Sequence, residues 1–162
     1  MSHGIERILC CVGLRADSDY VLHQAVFLAL ATQAELHILH AVKAFPDEMR
    51  NTLKVNIRDR DVLNTLMEQR AVQAQGELEA KLATFWQRHP DLHETFCDRQ
   101  ISSTVLEGYP ASVISHFASR GNFDMIVMAA NKRRFSANYA GKVTKGVIKR
   151  AKVPVVVVPR SP

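Results

Sequence analysis

Cysteine is scarce in this chain of 162 residues, which contains Cys10, Cys11 and Cys97. An odd number of cysteines without a Cys-x-x-Cys spacing argues against a disulfide framework and against a zinc site. Cys10 and Cys11 are neighbours in an apolar run, and neighbouring residues of a strand point to opposite faces, so their thiols cannot bind one metal together. We interpret the cysteines as buried, reduced thiols, and we therefore expect a cytoplasmic protein.

Long apolar segments are also missing from the sequence. No run approaches the roughly 20 residues that a membrane-spanning helix requires. The apolar run near the N-terminus is too short for a secretory signal, and no small-residue cleavage site follows it. The balance of 47% hydrophobic and 23% charged residues is that of an ordinary globular domain. We expect a single domain over residues 1–162 and no membrane partner.

Acidic residues are nearly absent from the last quarter of the chain. Residues 120–162 contain ten Lys or Arg against one acidic residue, a balance of +9, whereas residues 1–119 contain eleven against fifteen, a balance of −4. A basic face of this kind can attract partners that carry phosphate. Only Phe135 and Tyr139 supply aromatic rings after Asp124. Because single-stranded nucleic acid needs a larger stacking platform, we do not predict a nucleic-acid partner.

Short apolar runs predict the strands, which are residues 8–12, 35–42, 125–130 and 155–158. Their apolar residues are mostly continuous, which is typical of parallel strands covered on both faces. The polar segment 93–99 contains the apolar Phe96, and we interpret it as a weak edge strand.

Helical periodicity lies between these strands. The predicted helices are residues 18–33, residues 60–88, a helix from Pro110 to Gly121, and a last helix that carries Val143, Val147, Ile148 and Ala151 and stops before Pro154. The long connection 43–59 is predicted to be an exposed loop. Alternation of strands and helices predicts an α/β protein, a three-layer α/β/α sandwich with a Rossmann-like parallel sheet.

Ligands of such sheets bind beyond the carboxyl ends of the strands, where the strand order reverses. The loops that begin at Gly13 and Ala129 are predicted to flank that crevice, and His40 ends a neighbouring strand. His37 lies three positions before His40 and therefore on the opposite face, so the two histidines cannot chelate one metal. We predict no metal site.

Two long segments resemble the universal stress protein family. They are EGYPASVISHFASRGNFDMIVMAA (107–130) and GKVTKGVIKRAKVPVVVVP (141–159). Both are similar to the family in a Gly-x-Pro helix start, an Asp-led fourth strand and a Gly-led helix that runs into Pro and valines. The resemblance covers nearly all of the chain and implies a five-stranded sheet of order 3-2-1-4-5.

ATP-binding members of that family carry Gly-x2-Gly-x9-Gly-Ser/Thr after the fourth strand, and an Asp after the first strand that faces the nucleoside. This chain departs from the pattern, since Gly13 stands at the Asp position and a spacer of eight residues replaces nine. The resemblance implies a candidate nucleotide or anion cleft formed by Gly13, Ala41, Ala129, Lys132, Arg133, Arg134, Gly141 and Lys142. Of these positions, Gly141 alone keeps the pattern.

A glycine loop holds phosphate through backbone N–H groups that no Cβ obstructs. Lys132 adds a long side chain to that loop, and Lys142 lacks the hydroxyl that would contact a phosphate or cap the helix. We therefore predict a degenerate nucleotide site without a bound cofactor. The alternative is that the cations of residues 132–142 hold ATP or another anion loosely, with weak ATPase activity. Residues 129–142 offer no base and no carboxylate for Mg²⁺, so we do not predict an enzyme.

In the order 3-2-1-4-5 the strand of residues 155–158 is an outer strand, and an apolar outer strand is prone to pairing. Pro154 and Pro159 limit that pairing to a short span. We predict a two-fold homodimer in which Val155, Val156, Val157 and Val158 of two chains pair antiparallel, as the resemblance also implies. The predicted function is that of a non-enzymatic stress-response regulator, and its protein partners cannot be named from the sequence.

Overall fold

The computed structural model describes residues 4–14, 18–43, 47–56, 60–96, 101–130 and 141–159. The described residues form five strands, β1 (Arg7–Cys11), β2 (Glu35–Lys43), β3 (Ile101–Gly108), β4 (Met125–Ala129) and β5 (Val155–Val158). They also form six helices, α1 (Asp19–Thr32), α2 (Asp47–Asn56), α3 (Arg60–Arg88), α4 (Pro90–Phe96), α5 (Pro110–Arg120) and α6 (Lys142–Arg150). None of the helices in these ranges is long and apolar enough to cross a membrane.

The strands form one parallel sheet of order β3-β2-β1-β4-β5, which confirms the predicted architecture. The central strands are the most apolar, and Leu9, Cys10, Ile126 and Val127 are fully buried. A parallel sheet needs helices on both faces, and successive strand residues supply one side chain to each face.

Two cores lie on the two faces of the sheet. Cys10 belongs to the core beneath α1 and α3, and Cys11 belongs to the core beneath α5 and α6, so the two thiols do point to opposite faces. Burial raises the pKa of Cys10 to about 12 and raises that of Cys11 well above its ordinary value, with the neighbouring Cys10 adding to the second shift. Both thiols are therefore protonated and unreactive at neutral pH. Cys97 lies outside the described residues.

Asp124 fixes the register between β1 and β4. Its Oδ2 atom accepts hydrogen bonds from the backbone N–H groups of Glu6 at 2.9 Å and Arg7 at 3.0 Å. Its own backbone N–H donates to the Arg7 carbonyl at 2.8 Å. The acidic residue that leads the fourth strand thus anchors the centre of the sheet.

The predicted third strand was wrong. Residues 90–96 are the helix α4, residues 97–99 lie outside the described part, and the edge strand is Ile101–Gly108. Pro90 suits the first turn of a new helix, and Phe96 of that helix is buried in the core beneath α1. A single buried aromatic residue in a polar segment is therefore compatible with a short helix as well as with a strand.

The predicted exposed loop over 43–59 was also wrong in part. Lys43 is the last residue of β2, and Asp47–Asn56 form the helix α2, which packs against α3. Leu53 is half-buried, whereas Val55 is exposed. Met49, Leu53 and Val55 are the apolar residues of this helix, too few to distinguish it from an exposed loop in the sequence.

We predict opposite effects for alanine at two helix glycines. A Cβ at Gly146 of α6 would lie 2.7 Å from the Ala111 Cβ of α5, whereas a Cβ at Gly76 of α3 meets no heavy atom within 4 Å. Gly76→Ala should raise the free energy of unfolding by about 0.5–1 kcal/mol, because alanine is the better helix former. Gly146→Ala should lower it, because α5 and α6 must separate. Urea unfolding of both variants measures the two signs, and a stabilising Gly146→Ala would contradict this account of the packing.

Candidate functional site

A cleft of about 750 Å³ lies at the carboxyl ends of β1, β2 and β4. Its lining is mostly apolar and includes Val12, Leu39, Ile114 and Met128. This is the position where an open parallel sheet binds ligands, because the crossovers on either side of β1 leave to opposite faces. An apolar cavity of this size with a few polar groups is typical of a small-molecule site.

Three of the predicted site residues line this cleft, namely Gly13, Ala41 and Ala129. A Cβ at Gly13 would meet nothing within 4 Å, so the space that a larger side chain would occupy is open. The Gly13 carbonyl accepts a hydrogen bond of 2.7 Å from the Ser18 hydroxyl, which holds the end of β1 against the start of α1. These end-of-strand positions do lie at the cleft, and small apolar groups occupy them.

The remaining predicted residues belong to the connection between β4 and α6. Lys132, Arg133 and Arg134 lie outside the described residues. Gly141 and Lys142 are described, but neither is among the residues that line the cleft, where Val143 stands instead. Lys142 begins α6 and is exposed.

Hydrogen bonds within the protein hold both ends of the connection between β4 and α6. The Gly141 N–H donates to the Ala130 carbonyl at 2.6 Å, and the buried Thr144 hydroxyl donates to the Ala129 carbonyl at 2.9 Å. The Ala130 N–H in turn donates to the Val158 carbonyl at 2.9 Å. The N–H group of the one glycine that keeps the family pattern is therefore used within the protein and is not offered to a ligand.

Sequence analysis missed the polar wall of the cleft, which α3 supplies. Arg70, Gln73 and Glu77 line the cleft from that helix, and Lys43 lines it from the end of β2. The three α3 residues share one side of the helix, since residues three and four apart are neighbours on its surface. Gln73 donates to Glu77 at 3.1 Å along that side. Their spacing could have been read from the sequence, but nothing in it placed that side over the cleft.

His40 lines the cleft as well, and its tautomer follows from its partner. Its Nδ1 atom lies 2.7 Å from the Val12 carbonyl oxygen. A carbonyl oxygen accepts and does not donate, so Nδ1 carries the proton and Nε2 is left as an acceptor in the neutral ring. Among the described residues, no cluster of three His, Cys, Asp or Glu is placed to hold a metal ion.

The loop after β1 is held by α3 and by the segment that follows it. Lys81 of α3 donates to the Leu14 carbonyl at 3.2 Å. At the start of α1, the Asp19 carboxylate lies 2.9 Å from His89 Nε2 and 3.6 Å from Arg88. Asp19 is thus a helix-start residue, as predicted, while Asp17 lies outside the described residues.

The family model of the universal stress protein family matches residues 4–159. The chain belongs to the universal stress protein family. Among solved structures, universal stress protein UspA from Lactobacillus plantarum is 22% identical, with a TM-score of 0.69, over 97% of this chain and 99% of that one. No curated protein matches the chain by sequence.

Two other similar structures contain a bound nucleotide. A universal stress protein in complex with cAMP is 16% identical, with a TM-score of 0.59, over 98% of this chain and 99% of that one. The universal stress protein from Archaeoglobus fulgidus in complex with dAMP is 18% identical, with a TM-score of 0.58, over 94% of this chain and 96% of that one. At these identities the likeness establishes the shared fold.

A second polar cluster lies away from the cleft, between β2 and the edge strand β3. His37 Nδ1 lies 2.7 Å from the Ser102 hydroxyl, and His37 Nε2 lies 2.8 Å from the Thr104 hydroxyl. The ring also packs against Phe117 and Phe123 of the neighbouring core. Burial lowers the pKa of His37, and the nearby Arg7 guanidinium lowers it further. His37 and His40 therefore lie on opposite faces of β2, as predicted.

We predict that His37 makes the protein less stable in mild acid. Its folded pKa lies below its unfolded value, so the unfolded chain binds the proton more readily, and stability falls as the pH drops below about 6.5. The loss levels off below the folded pKa. His37→Gln keeps a donor and an acceptor without the titration, so its loss of stability between pH 7.5 and pH 5 should be smaller than that of the unsubstituted protein. Urea unfolding at both pH values measures this, and equal losses would contradict the assignment.

Proposed function

We propose that this universal stress protein is a non-enzymatic, cytoplasmic regulator of the stress response that acts as a homodimer and does not hold ATP in the manner of its ATP-binding relatives. The observation that carries the proposal is the hydrogen bond from the Gly141 N–H to the Ala130 carbonyl. It occupies, within the protein, the N–H group of the one glycine that keeps the family pattern.

Two further features of the cleft support the loss of ATP binding. Gly13 has no carboxylate with which to contact a ribose, and Ala129 stands where the family places the first loop glycine. Lys142 cannot replace the missing hydroxyl, since its exposed side chain begins α6 away from the cleft lining. Cationic side chains attract phosphate without fixing its position, so their binding is weak and sensitive to salt.

A second candidate function is the loose binding of an anionic small molecule. The cleft is open, has a volume of about 750 Å³, and includes the cationic Arg70 and Lys43 in its lining. Charged hydrogen bonds to such groups stabilise a bound anion by roughly 1.5–3 kcal/mol each where water is excluded. The nucleotides bound by two structural relatives make an adenine nucleotide one chemistry to test.

Calorimetric titration with ATP and Mg²⁺ at low and high salt separates these candidates. We expect no measurable heat, or weak binding that disappears as salt rises. Phosphate release should stay at the background level in the same samples, since no enzyme is proposed. Binding with a dissociation constant below about 1 µM that salt does not weaken would overturn the proposed loss of ATP binding.

Gly13→Asp gives a matched test of the cleft. The open space at Gly13 accepts the new side chain, so the variant should fold as the unsubstituted protein does. Because the family pattern places Asp here to face the nucleoside, the affinities for adenosine and for ATP should increase by the same factor, and the triphosphate should add nothing further because the phosphate cradle is missing. An equal gain for adenosine and ATP would support a cleft that contacts the nucleoside but does not hold the phosphates, whereas submicromolar binding of ATP alone would contradict it.

The direction of the backbone groups of β5 supports the proposed homodimer. In the parallel ladder, Ile126 N–H donates to the Pro154 carbonyl and Ala130 N–H donates to the Val158 carbonyl. Backbone groups of successive strand residues point to alternate sides, so residues 154, 156 and 158 face β4. The N–H and C=O groups of Val155 and Val157 therefore face the outer edge of the sheet, where a second copy can pair with them.

Antiparallel pairing about a two-fold axis at Val156 joins Val155 of each copy to Val157 of the other. This register satisfies all four outward groups of each strand within the span that Pro154 and Pro159 allow. It also makes one continuous sheet from two five-stranded sheets. The partner of β5 is thus proposed to be a second β5.

We predict that Val157→Pro yields a folded monomer. Proline removes the outward N–H of Val157 and leaves the ladder to β4 intact, because proline is tolerated where the N–H faces away from the sheet. Sedimentation equilibrium at micromolar concentration should give a dimer for the unsubstituted protein and a monomer for the variant.

Val156→Pro is the control, because its N–H faces β4 and its loss should lower the stability of the fold itself. Urea unfolding separates the two effects, since Val157→Pro should keep most of its stability and Val156→Pro should not. A monomeric mass for the unsubstituted protein would remove the proposed dimer, and a dimeric Val157→Pro would place the interface elsewhere.

A further inference from the structure

The cationic side chains of the cleft lie toward one end of it. Lys43 is the last residue of β2, and Arg70 belongs to α3, which packs against β2 and β3. Arg70 is half-buried and Lys43 is exposed, and both line the cleft. The end of the cleft beside β2 and β3 therefore attracts an anion.

The start of α5 contributes to the same end of the cleft. Lys43 is paired with Gly108 in the parallel ladder, and Pro110, which begins α5 two residues later, lines the cleft. The N-cap residue Tyr109 makes no side-chain hydrogen bond to the first turn. The first N–H groups of a helix have no partner within the helix, and the helix dipole is positive there. Because proline has no N–H, the first donors of α5 are those of the two following residues, and they favour an anion.

The other end of the cleft is apolar in its described part. Met128 and Ala129 of β4 and Val143 of α6 line it there, and none of the described β4 or α6 residues in the lining is polar. The buried side chains of Leu39 and Ile114 continue this lining across the centre of the sheet. The described lining thus changes from cationic beside β2 to apolar beside β4, which is the pattern that an amphipathic ligand requires.

The carboxylate of Glu77 limits the charge of such a ligand. Glu77 also lines the cleft, and it follows Arg70 by seven residues on α3, a distance of about 10 Å along the helix axis. Gln73 donates to Glu77 at 3.1 Å. Lys81, one turn further along α3, donates to the Leu14 carbonyl in the loop after β1, so Glu77 lies on the β1 side of Arg70. A second negative charge on the ligand would therefore be placed toward Glu77 or against the apolar lining, and both positions are unfavourable.

We propose that the cleft binds an apolar monocarboxylate, with its carboxylate at Lys43 and Arg70 and its apolar body over β4 and α6. This inference rests on the second candidate function proposed above, the binding of an anionic small molecule, and it names the chemistry of that molecule. The planar guanidinium of Arg70 suits the two oxygens of a carboxylate. The apolar body contributes to affinity in proportion to the surface that it removes from water. The direction is the reverse of the one that the family pattern implies for a nucleotide, whose phosphates would lie at the loop after β4.

Calorimetric titration of the full chain with straight-chain probes tests the class of ligand. Hexanoate and octanoate carry the same carboxylate on bodies of different length, and octanol carries the octyl body without the charge. Octanoate should bind about fifteenfold more tightly than hexanoate, the factor expected for the burial of two further CH₂ groups. Octanol should bind about tenfold more weakly than octanoate, because it lacks the charged hydrogen bonds. Affinities that depend on neither the length nor the charge of the probe would overturn the proposal.

Two exposed lysines test the direction in which the ligand lies. Lys43→Gln removes a cation from the lining of the cleft and should raise the dissociation constant of octanoate about threefold to fivefold, as expected for an exposed ion pair, while that of octanol stays the same. Lys142→Gln is the matched control, because Lys142 is an exposed lysine at the start of α6 that is not among the lining residues. It should leave octanoate binding unchanged. A loss of affinity with Lys142→Gln and none with Lys43→Gln would place the anion beside α6 and overturn the proposed direction.

A pair of variants at Gly13 tests whether octanoate occupies this cleft. Gly13→Asp and Gly13→Asn add side chains of nearly equal size in the open space at the end of β1, and only the first adds a negative charge. Octanoate should bind more weakly to Gly13→Asp than to Gly13→Asn, because like charges repel. Equal affinities for the two variants would place octanoate outside the cleft and overturn the proposal.

The titrations also separate this inference from the proposed function. Salt-sensitive binding of ATP without binding of octanoate would overturn the monocarboxylate and keep the second candidate function. The absence of heat with both ligands would remove both. Binding of octanoate with the predicted dependence on length and charge, and with no measurable heat from ATP, would support the monocarboxylate together with the proposed loss of ATP binding.

Discussion

The hydrogen-bonded ladder of β4 is the constraint on which both candidate functional surfaces depend. Asp124 locks the start of β4 to β1 through two backbone N–H groups. The parallel direction that follows gathers the carboxyl ends of three strands at one edge, where the cleft lies. The same ladder turns alternate residues of β5 inward, and so it determines that Val155 and Val157 present their backbone to the outer edge. A register shift of one residue would exchange inward and outward groups on β5 and would move the residues that close the cleft.

The parts of this architecture that the sequence predicted are those in which both faces of a strand are buried. The runs around Leu9, Ile38, Ile126 and Val156 are continuous in apolar residues because the sheet centre and its flanks are covered on both sides. The edge strand β3 was missed, since Ser102, Ser103 and Thr104 lie in half-covered positions that require no apolar pattern. Helix α2 was missed because it carries few apolar residues, and α4 because its seven residues are too short to show a helical period.

The candidate site likewise has residues that the sequence predicted and residues that it did not. Gly13, Ala41 and Ala129 were predicted to lie near one another because each stands at the end of a predicted strand. The carboxyl ends of parallel strands lie at the same edge of the sheet, where the cleft is found. Arg70 and Glu77 were not, because they belong to a crossover helix whose lateral position over the cleft is set by packing of its apolar side, through Leu78 and Phe85, against the core. Long-range packing of this kind has no local signature. The hydrogen bond between Gly141 and Ala130 was likewise invisible, since it depends on where the chain returns to the sheet after residues 131–140.

That hydrogen bond connects the cleft to the dimer edge. Val158 of β5 accepts from Ala130, Ala130 accepts from Gly141, and Thr144 of the same helix donates to Ala129. These bonds join β5, the end of β4 and the first turn of α6. A phosphate that used the Gly141 N–H would first have to break its bond to Ala130, at a net cost of roughly 0.5–1.5 kcal/mol, and would leave a buried carbonyl to be satisfied. With the bond in place, the first turn of α6 is held against the end of β4 and, through Ala130, against β5. The outer edge proposed for dimerisation and the end of the cleft are therefore held by one set of hydrogen bonds within the chain.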